Sequence, residues 1–173
     1  MTMTATKKTT IKPCDLGYRA VNSDDTVSYT ELKGLLNDFA LAQDAADESS
    51  IDAEFYNSPW EIVRTGKPVK MTFTLVNYGL DELPPIIGGT YTAATATTGE
   101  TYEGVGNDFT SEWEWKVSYK KGNAGFVILR GSTAGNIKQD NKGALGYSIT
   151  ITALAISGSD NTYKIIGDPK TGA

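Results

Sequence analysis

The sequence predicts an all-β, mainly antiparallel domain, and three observations carry that prediction. Threonine and glycine are heavily used, at 22 and 18 of 173 residues, and they favour strands and turns respectively. Several stretches alternate apolar and polar residues with the period of two that marks a half-buried strand. Turn sequences, Lys121–Gly125 and Gly158–Asn161, join those stretches. A chain of this length fits one domain, residues 1–173, whose core is large enough to need no disulfide or metal for folding.

Residues 1–28 read as an N-terminal segment. Met1–Lys12 is rich in Thr and Lys and lacks the apolar core of a signal peptide. Cys14 is the single cysteine, so no intramolecular disulfide and no Cys-based zinc site can form. Beside Pro13 it reads as a small packing residue, in a chain made and kept in a reducing cytoplasm. Between 29 and 46 two patterns compete. Ser28 and Glu31 match a capping box, with Leu32, Leu35, Leu36, Phe39 and Gln43 at helical spacing. The alternative is a strand, Phe39–Gln43, paired with Ile51–Tyr56.

Val69, Met71, Phe73 and Leu75 share one face of a strand, with Lys70, Thr72 and Thr74 on the other. Leu80–Gly89 suits a short helix: Leu83, Ile86 and Ile87 cluster, Gly88-Gly89 stops it, and Pro84-Pro85 is tolerable in a first turn. Residues 90–107 are poor in apolar anchors and suit a long surface loop or a mobile hairpin. Glu112–Lys120 and Phe126–Arg130 form a hairpin, with Trp113, Trp115, Val117 and Tyr119 on one side of its first strand. A final strand runs from about Gly146 to Ser157. A turn at 158–161 leads it into Thr162–Ile166, and residues 167–173 form an irregular tail.

The chemistry is bounded mostly by what is missing. There is no histidine, which removes Ser-His-Asp and Cys-His triads, HExxH zinc sites and every imidazole acid or base. Glu112 and Glu114 could pose as a glycosidase pair, but Lys116 and Lys120 on the same strand point to cross-strand charge pairing. Asp44, Asp47, Glu48 and Asp52 lack calcium-loop spacing. Gly104-Val105-Gly106 lacks the context of a dinucleotide loop. No catalytic residue, cofactor or metal ligand is assigned, and the sequence does not read as an enzyme. No apolar run approaches the ~20 residues of a membrane span.

Net charge is −5, unevenly spread: Asp15–Glu61 holds eleven acids against two bases, a net of −9, which leaves +4 elsewhere. Such a balance does not build a basic groove for nucleic acid. It suits a solvated acidic face, or a wall that repels a polyanion.

Gly66–Leu75 followed by Leu80–Gly89 resembles the major tail tube proteins of long-tailed, siphovirus-like bacteriophages, in which a strand ending in alternating apolar residues leads into a short helix. Phe126–Arg130 and Gly146–Leu154 are similar to that family's C-terminal strands. The resemblance covers roughly residues 30–166, is one of hydrophobic pattern and turns, and departs from the family at Pro84-Pro85. It implies a β-sandwich or barrel-like subunit with one flanking helix. It also implies a strand near 36–56, and on that ground the strand is preferred to the helix there.

The same resemblance implies a structural virion protein assembled in the host bacterial cytoplasm. Six subunits would form a ring, and stacked rings would form a tube through which double-stranded DNA passes without binding. Tape measure, tail tip and tail terminator proteins would be its partners. The residues expected to matter are Leu80, Leu83, Ile86 and Ile87 on an assembly helix, and Phe73, Trp113, Trp115 and Phe126 in the core or an interface. Asp44, Asp52 and Glu54 are expected to face the lumen. The alternatives are a carbohydrate-binding β-sandwich that stacks sugars on Trp113 and Trp115, or another injection-tube component of the same fold.

Overall fold

Alternation decides which strand faces meet. In the computed structural model, which describes residues 14–51, 61–76, 78–106, 109–119, 124–139 and 145–167, Val69, Met71, Phe73 and Leu75 are all buried. They lie on β6 (Val69–Val76). The other strands of the main sheet are β1 (Cys14–Arg19), β2 (Thr30–Glu31), β3 (Leu35–Gln43), β9 (Ser111–Tyr119), β10 (Gly125–Gln139), β11 (Leu145–Ala153) and β12 (Tyr163–Ile166). They make one eight-stranded antiparallel sheet in the order β2-β1-β9-β10-β11-β6-β3, with β12 also on β10. The fold is all-β, as expected, and the sheet is not closed.

The sheet curls. β9 and β6 are three strand spacings apart, about 14 Å in a flat sheet. Yet the rings of Trp115 on β9 and Phe73 on β6 have centroids 6.3 Å apart. Only strong curvature brings them together, and the concave face so formed holds the core: Leu16, Tyr18, Met71, Phe73, Trp115, Val117, Ile128, Ile149 and Ile151. A bulge between Ile128 and Gly131, where β10 gains one residue against β9, supplies part of the bend. Gly131 is needed at that corner, since a Cβ there would lie 2.5 Å from Ile151 Cγ2 and 3.0 Å from Trp115 Cδ1.

The predicted helix closes the concave face. Leu80–Glu82 is a 3-10 turn, and α1 (Pro84–Ile87) comes next, with its prolines in the first turn and Gly88 at φ 75° ending it. Leu83, Ile86 and Ile87 are buried, and Leu80 packs partly against the core. Side chains of β9 satisfy its carbonyls: Trp113 Nε1 donates to Pro85 O (2.8 Å) and Ser111 Oγ to Ile86 O (2.8 Å). Ile87 lies against β10 where Gly135 has no side chain, for a Cβ there would sit 2.3 Å from Ile87 Cγ2.

Some parts of the chain differ from expectation. The N-terminal segment contains β1, a core strand that places Cys14, Leu16 and Tyr18 inside. The final strand stops at Ala153, four residues early. The chain does not reverse there. Leu154 N donates to Arg130 O (2.8 Å) and Leu129 N to Thr162 O (3.1 Å), so residues 155–161 loop out and β12 continues along the line of β11. In the region 29–46 the strand replaces the helix: Thr30–Glu31 pair with β1 instead of capping a helix, and Leu35–Gln43 is β3, with Phe39 and Leu41 turned toward the core. Its partner is not the expected one. Ala40–Gln43 pair with Val69–Thr72 of β6 and not with Ile51–Tyr56, because the alternating apolar face of β6 is what partly buries Phe39 and Leu41. Ile51 pairs with Glu61 instead, and residues 52–56 lie outside the described residues.

Candidate assembly surfaces

Three features lie outside the core: a projecting ribbon, two unlike sheet edges and a polar clamp. The ribbon grows from the β3–β6 ladder. β4 (Asp47–Ile51) and β5 (Glu61–Thr65) pair antiparallel. Gln43 opposes Val69 and Asp47 opposes Thr65, so 44–46 and 66–68 face each other three against three and the register is kept. β11 pairs with β6 as far as Lys70, so the ribbon is two-stranded from Gln43/Val69 to Ile51/Glu61, about 26 Å at ~3.3 Å per residue.

Beyond the sheet it is bare. Every described side chain on β4 and β5 is exposed, including the adjacent Ile62 (52%) and Val63 (41%), which point to opposite faces. Two surface ion pairs brace it, Arg64 Nε to Glu48 Oε1 (2.7 Å) and Lys67 Nζ to Asp47 Oδ1 (2.9 Å). Asp44 is exposed at its base. Asp52 and Glu54 fall outside the described residues. A second hairpin, β7 (Thr90–Thr92) with β8 (Thr101–Glu103), occupies the region 90–107. It is tied to the helix end where Tyr102 OH donates to Gly88 O (2.7 Å).

At the sheet's ends, β3 presents its outward edge with no described strand beyond it, while β1 is partly covered by β2. On the convex face behind β1 lies the clamp, which the sequence pattern did not reveal. Arg19 (β1) and Glu114 (β9) stand opposite each other in the ladder, and both side chains are 8% exposed. Arg19 Nε and Nη2 reach Glu114 Oε1 at 3.0 and 2.8 Å. Arg19 Nη1 donates to the carbonyls of Asp24 (3.1 Å) and Val27 (3.0 Å), its Cζ lies 4.5 Å from the centre of the Tyr29 ring, and Tyr29 OH donates to Glu114. Ninety-five residues separate the two ionic partners, and no spacing rule links positions so far apart.

The carboxylate pair of the hairpin is thus split between two arginines. Glu112 takes a two-pronged bond from Arg130 (2.8 and 2.9 Å), which holds its carboxyl below the ordinary range. The cross-strand partners are arginines of neighbouring strands and not Lys116; Lys120 lies outside the described residues. Trp115 is completely buried and Phe126 nearly so, while Trp113 is half-buried with its N–H engaged. A sugar finds no free Trp115 face. Among the described residues no group of His, Cys, Asp or Glu is arranged to hold a metal ion, and no helix is long and apolar enough to cross a membrane.

The tyrosines carry a pH signature. Burial, first of all, raises the phenols of Tyr18, Tyr29, Tyr78, Tyr102 and Tyr147 above their ordinary value of 10.0. A raised folded value means that folding favours the neutral phenol. That stability is complete below pH 10 and is lost as pH rises through the higher folded values. Alkaline titration should show these phenolates appearing late, together with loss of the far-ultraviolet β signal. Ionisation of every tyrosine near pH 10 with the fold intact would contradict it.

Compared with models of known protein families, the chain matches none, and compared with curated proteins of known function it also matches none.

Proposed function

We propose that this chain is a structural subunit that polymerises through its strands: a major tail tube protein whose rings, six subunits each, stack into a conduit for double-stranded DNA. The observation that carries this reading is the ribbon formed by β4 and β5. A two-stranded ribbon on its own is marginal in water, and exposed apolar residues on both of its faces are surface for a neighbour to cover. The position of β3 at the end of the sheet, with no described strand beyond it, supports the same reading, because the terminal strands of a subunit's sheet pair when a ring closes. The resemblance of Gly66–Leu75 and Leu80–Gly89 to tail tube proteins supplies the particular assembly. Tape measure, tail tip and terminator proteins are its proposed partners, and the virion tail its location. Asp44 at the ribbon base is a proposed lumen acid, where negative charge keeps DNA from binding the wall.

Negative-stain electron microscopy over a concentration series should show rings or tubes, with or without tail-tip seeds. A strict monomer under all those conditions would overturn the reading. Ile62→Lys with Val63→Lys should leave the melting temperature of the isolated subunit within a few degrees of wild type, because both side chains are already in water. The same pair should abolish polymer formation. Polymers of normal yield from that double variant would remove the ribbon from the assembly.

A further inference from the structure

Apart from Val27 and those of the ribbon, the exposed large apolar side chains lie at the two ends of the concave face. At one end β12 carries that face past the last residue of β11. Tyr163 and Ile165 stand opposite Ile128 and Phe126 of β10 in the ladder, and both of those belong to the core. Residues directly opposite share a face, so Tyr163 and Ile165 extend the core surface outward. Ile165 is 70% exposed. Tyr163 stacks on Phe126, with ring centres 5.2 Å apart, and is exposed as well. Tyr119, the last residue of β9, shares the face of Val117 and Trp115 and is a third exposed side chain at this end. Together they form an apolar knob.

The other end forms a hollow. Ile137 stands opposite Tyr147, a core residue, so it too lies on the concave face, and it is 70% exposed. Beside it is a cavity of about 270 Å³ walled by Ile87, Tyr102, Phe109 and Tyr147, with Val105 also lining it. Gly135 lines it too and puts no side chain into it. Among the described residues that line this hollow none is charged. The eleven steps from Phe126 to Ile137 along β10 span about 36 Å at ~3.3 Å per residue. Knob and hollow thus sit at opposite ends of one sheet.

We propose that the hollow receives the Tyr163–Ile165 knob of a second copy of this chain. The inference rests on the assembly proposed above and names one of its contacts. An uncharged hollow with aromatic walls calls for an apolar anchor, the kind of contact that carries most of an interface's energy. The chain itself supplies that anchor in its most exposed aliphatic side chain outside the hollow. Charge agrees with this choice of occupant. Lys164 stands exposed between the two knob residues, and exposed Glu103 lies between Tyr102 and Gly104 of the hollow, so the rims attract each other. Because knob and hollow are different surfaces, the contact is head-to-tail. Every pair of copies keeps one knob and one hollow free, and addition continues into a ring or a filament.

Cross-linking between unlike copies tests it. Cys14 is buried, so the native chain is the unreactive control. Ile165→Cys protein mixed with Ile137→Cys protein should give covalent dimers with a short bis-maleimide, and neither protein alone should do so. Equal yields from a single variant would mean that like ends meet, and would overturn the proposal. No dimers from a mixture that polymerises under the electron microscope would overturn it too. Ile165→Asp and Ile137→Asp give a second measurement. Each should leave the subunit's melting temperature within a few degrees of wild type, because both side chains are already in water. Each should raise the concentration at which polymer forms by about tenfold or more, since a carboxylate would have to enter an apolar contact. Either variant polymerising as wild type does would sink the knob and hollow and leave the tube reading standing. No polymer from wild type under any condition sinks both.

Discussion

Trp115→Ala should cost about 5 kcal/mol, a third or more of the roughly 9–15 kcal/mol that stabilises a domain this size. The indole is completely buried and touches both halves of the curl, with Tyr18 at 5.4 Å and Phe73 at 6.3 Å between ring centres. Truncating a buried Trp removes about 3–5 kcal/mol of burial and packing. A second loss adds to it: Trp115 Nε1 donates to Thr133 Oγ1 (3.1 Å), and Thr133 is itself fully buried, so its hydroxyl is left without that donor at a cost of about 1 kcal/mol. Urea unfolding followed by circular dichroism measures the sum. Trp115→Phe keeps the ring contacts and should lose less than half as much. A loss below about 2 kcal/mol for the alanine variant would mean that the concave face refills around the gap, contrary to a core centred on this side chain.

Glu114→Ala should cost about 3 kcal/mol because it leaves the Arg19 guanidinium without its buried counter-charge, its other carboxylate, Asp25 at 3.4 Å, being fully in water. The cost is that of the stranded charge and not the net worth of the pair. Arg19→Met with Glu114→Leu together should therefore be less destabilising than Glu114→Ala alone. Glu112→Ala is the internal control. Its partner Arg130 is 36% exposed and Glu112 44%, water screens the pair, and the loss should stay under about 1 kcal/mol. Equal losses at 112 and 114 would refute the distinction between the two arginine pairs.

Strands whose single apolar face meets the core were legible. Residues 69–73 alternate in sequence and in burial alike, because one face looks into the concave side. In 113–117 the apolar residues take that same side, while Glu114 on the opposite face is buried as well, under the Arg19 clamp. The short helix was legible through Pro84-Pro85 and Gly88-Gly89, whose backbone limits act locally. β1 was not. Cys14, Leu16 and Tyr18 do alternate, but Pro13 and Gly17 weaken the local signal, and the strand exists because β9 pairs with it. β10 runs on to Gln139, beyond the expected Phe126–Arg130; residues 131–136, being Gly, Ser, Thr, Ala, Gly and Asn, carry no apolar alternation to announce it. The two glycines are there to admit Trp115, Ile151 and Ile87, a reason visible only in three dimensions. The capping box at Ser28–Glu31 is a sound local signal that tertiary pairing overrides. Gly34, pressed where a Cβ would lie 2.6 Å from Leu75 Cδ1, shows how closely the chain runs along its neighbour there. Of the assembly surfaces, the acid-rich stretch was evident at once, whereas the Arg19–Glu114 clamp depends on a pairing no local pattern encodes.

The loop-out at 155–161 has a practical side. Leu154 and Thr162 hold adjacent rungs of β10 through Arg130 and Leu129, so the segment departs and returns at nearly one point. Gly158, at φ 82° with nothing within 4 Å of where a Cβ would be, marks its open tip. A guest peptide spliced in at Gly158 lengthens a loop whose ends are already fastened, and the entropic cost grows only slowly with its length. The position is a ready graft point for an epitope or a fluorophore, carried once per copy by whatever array the chain builds.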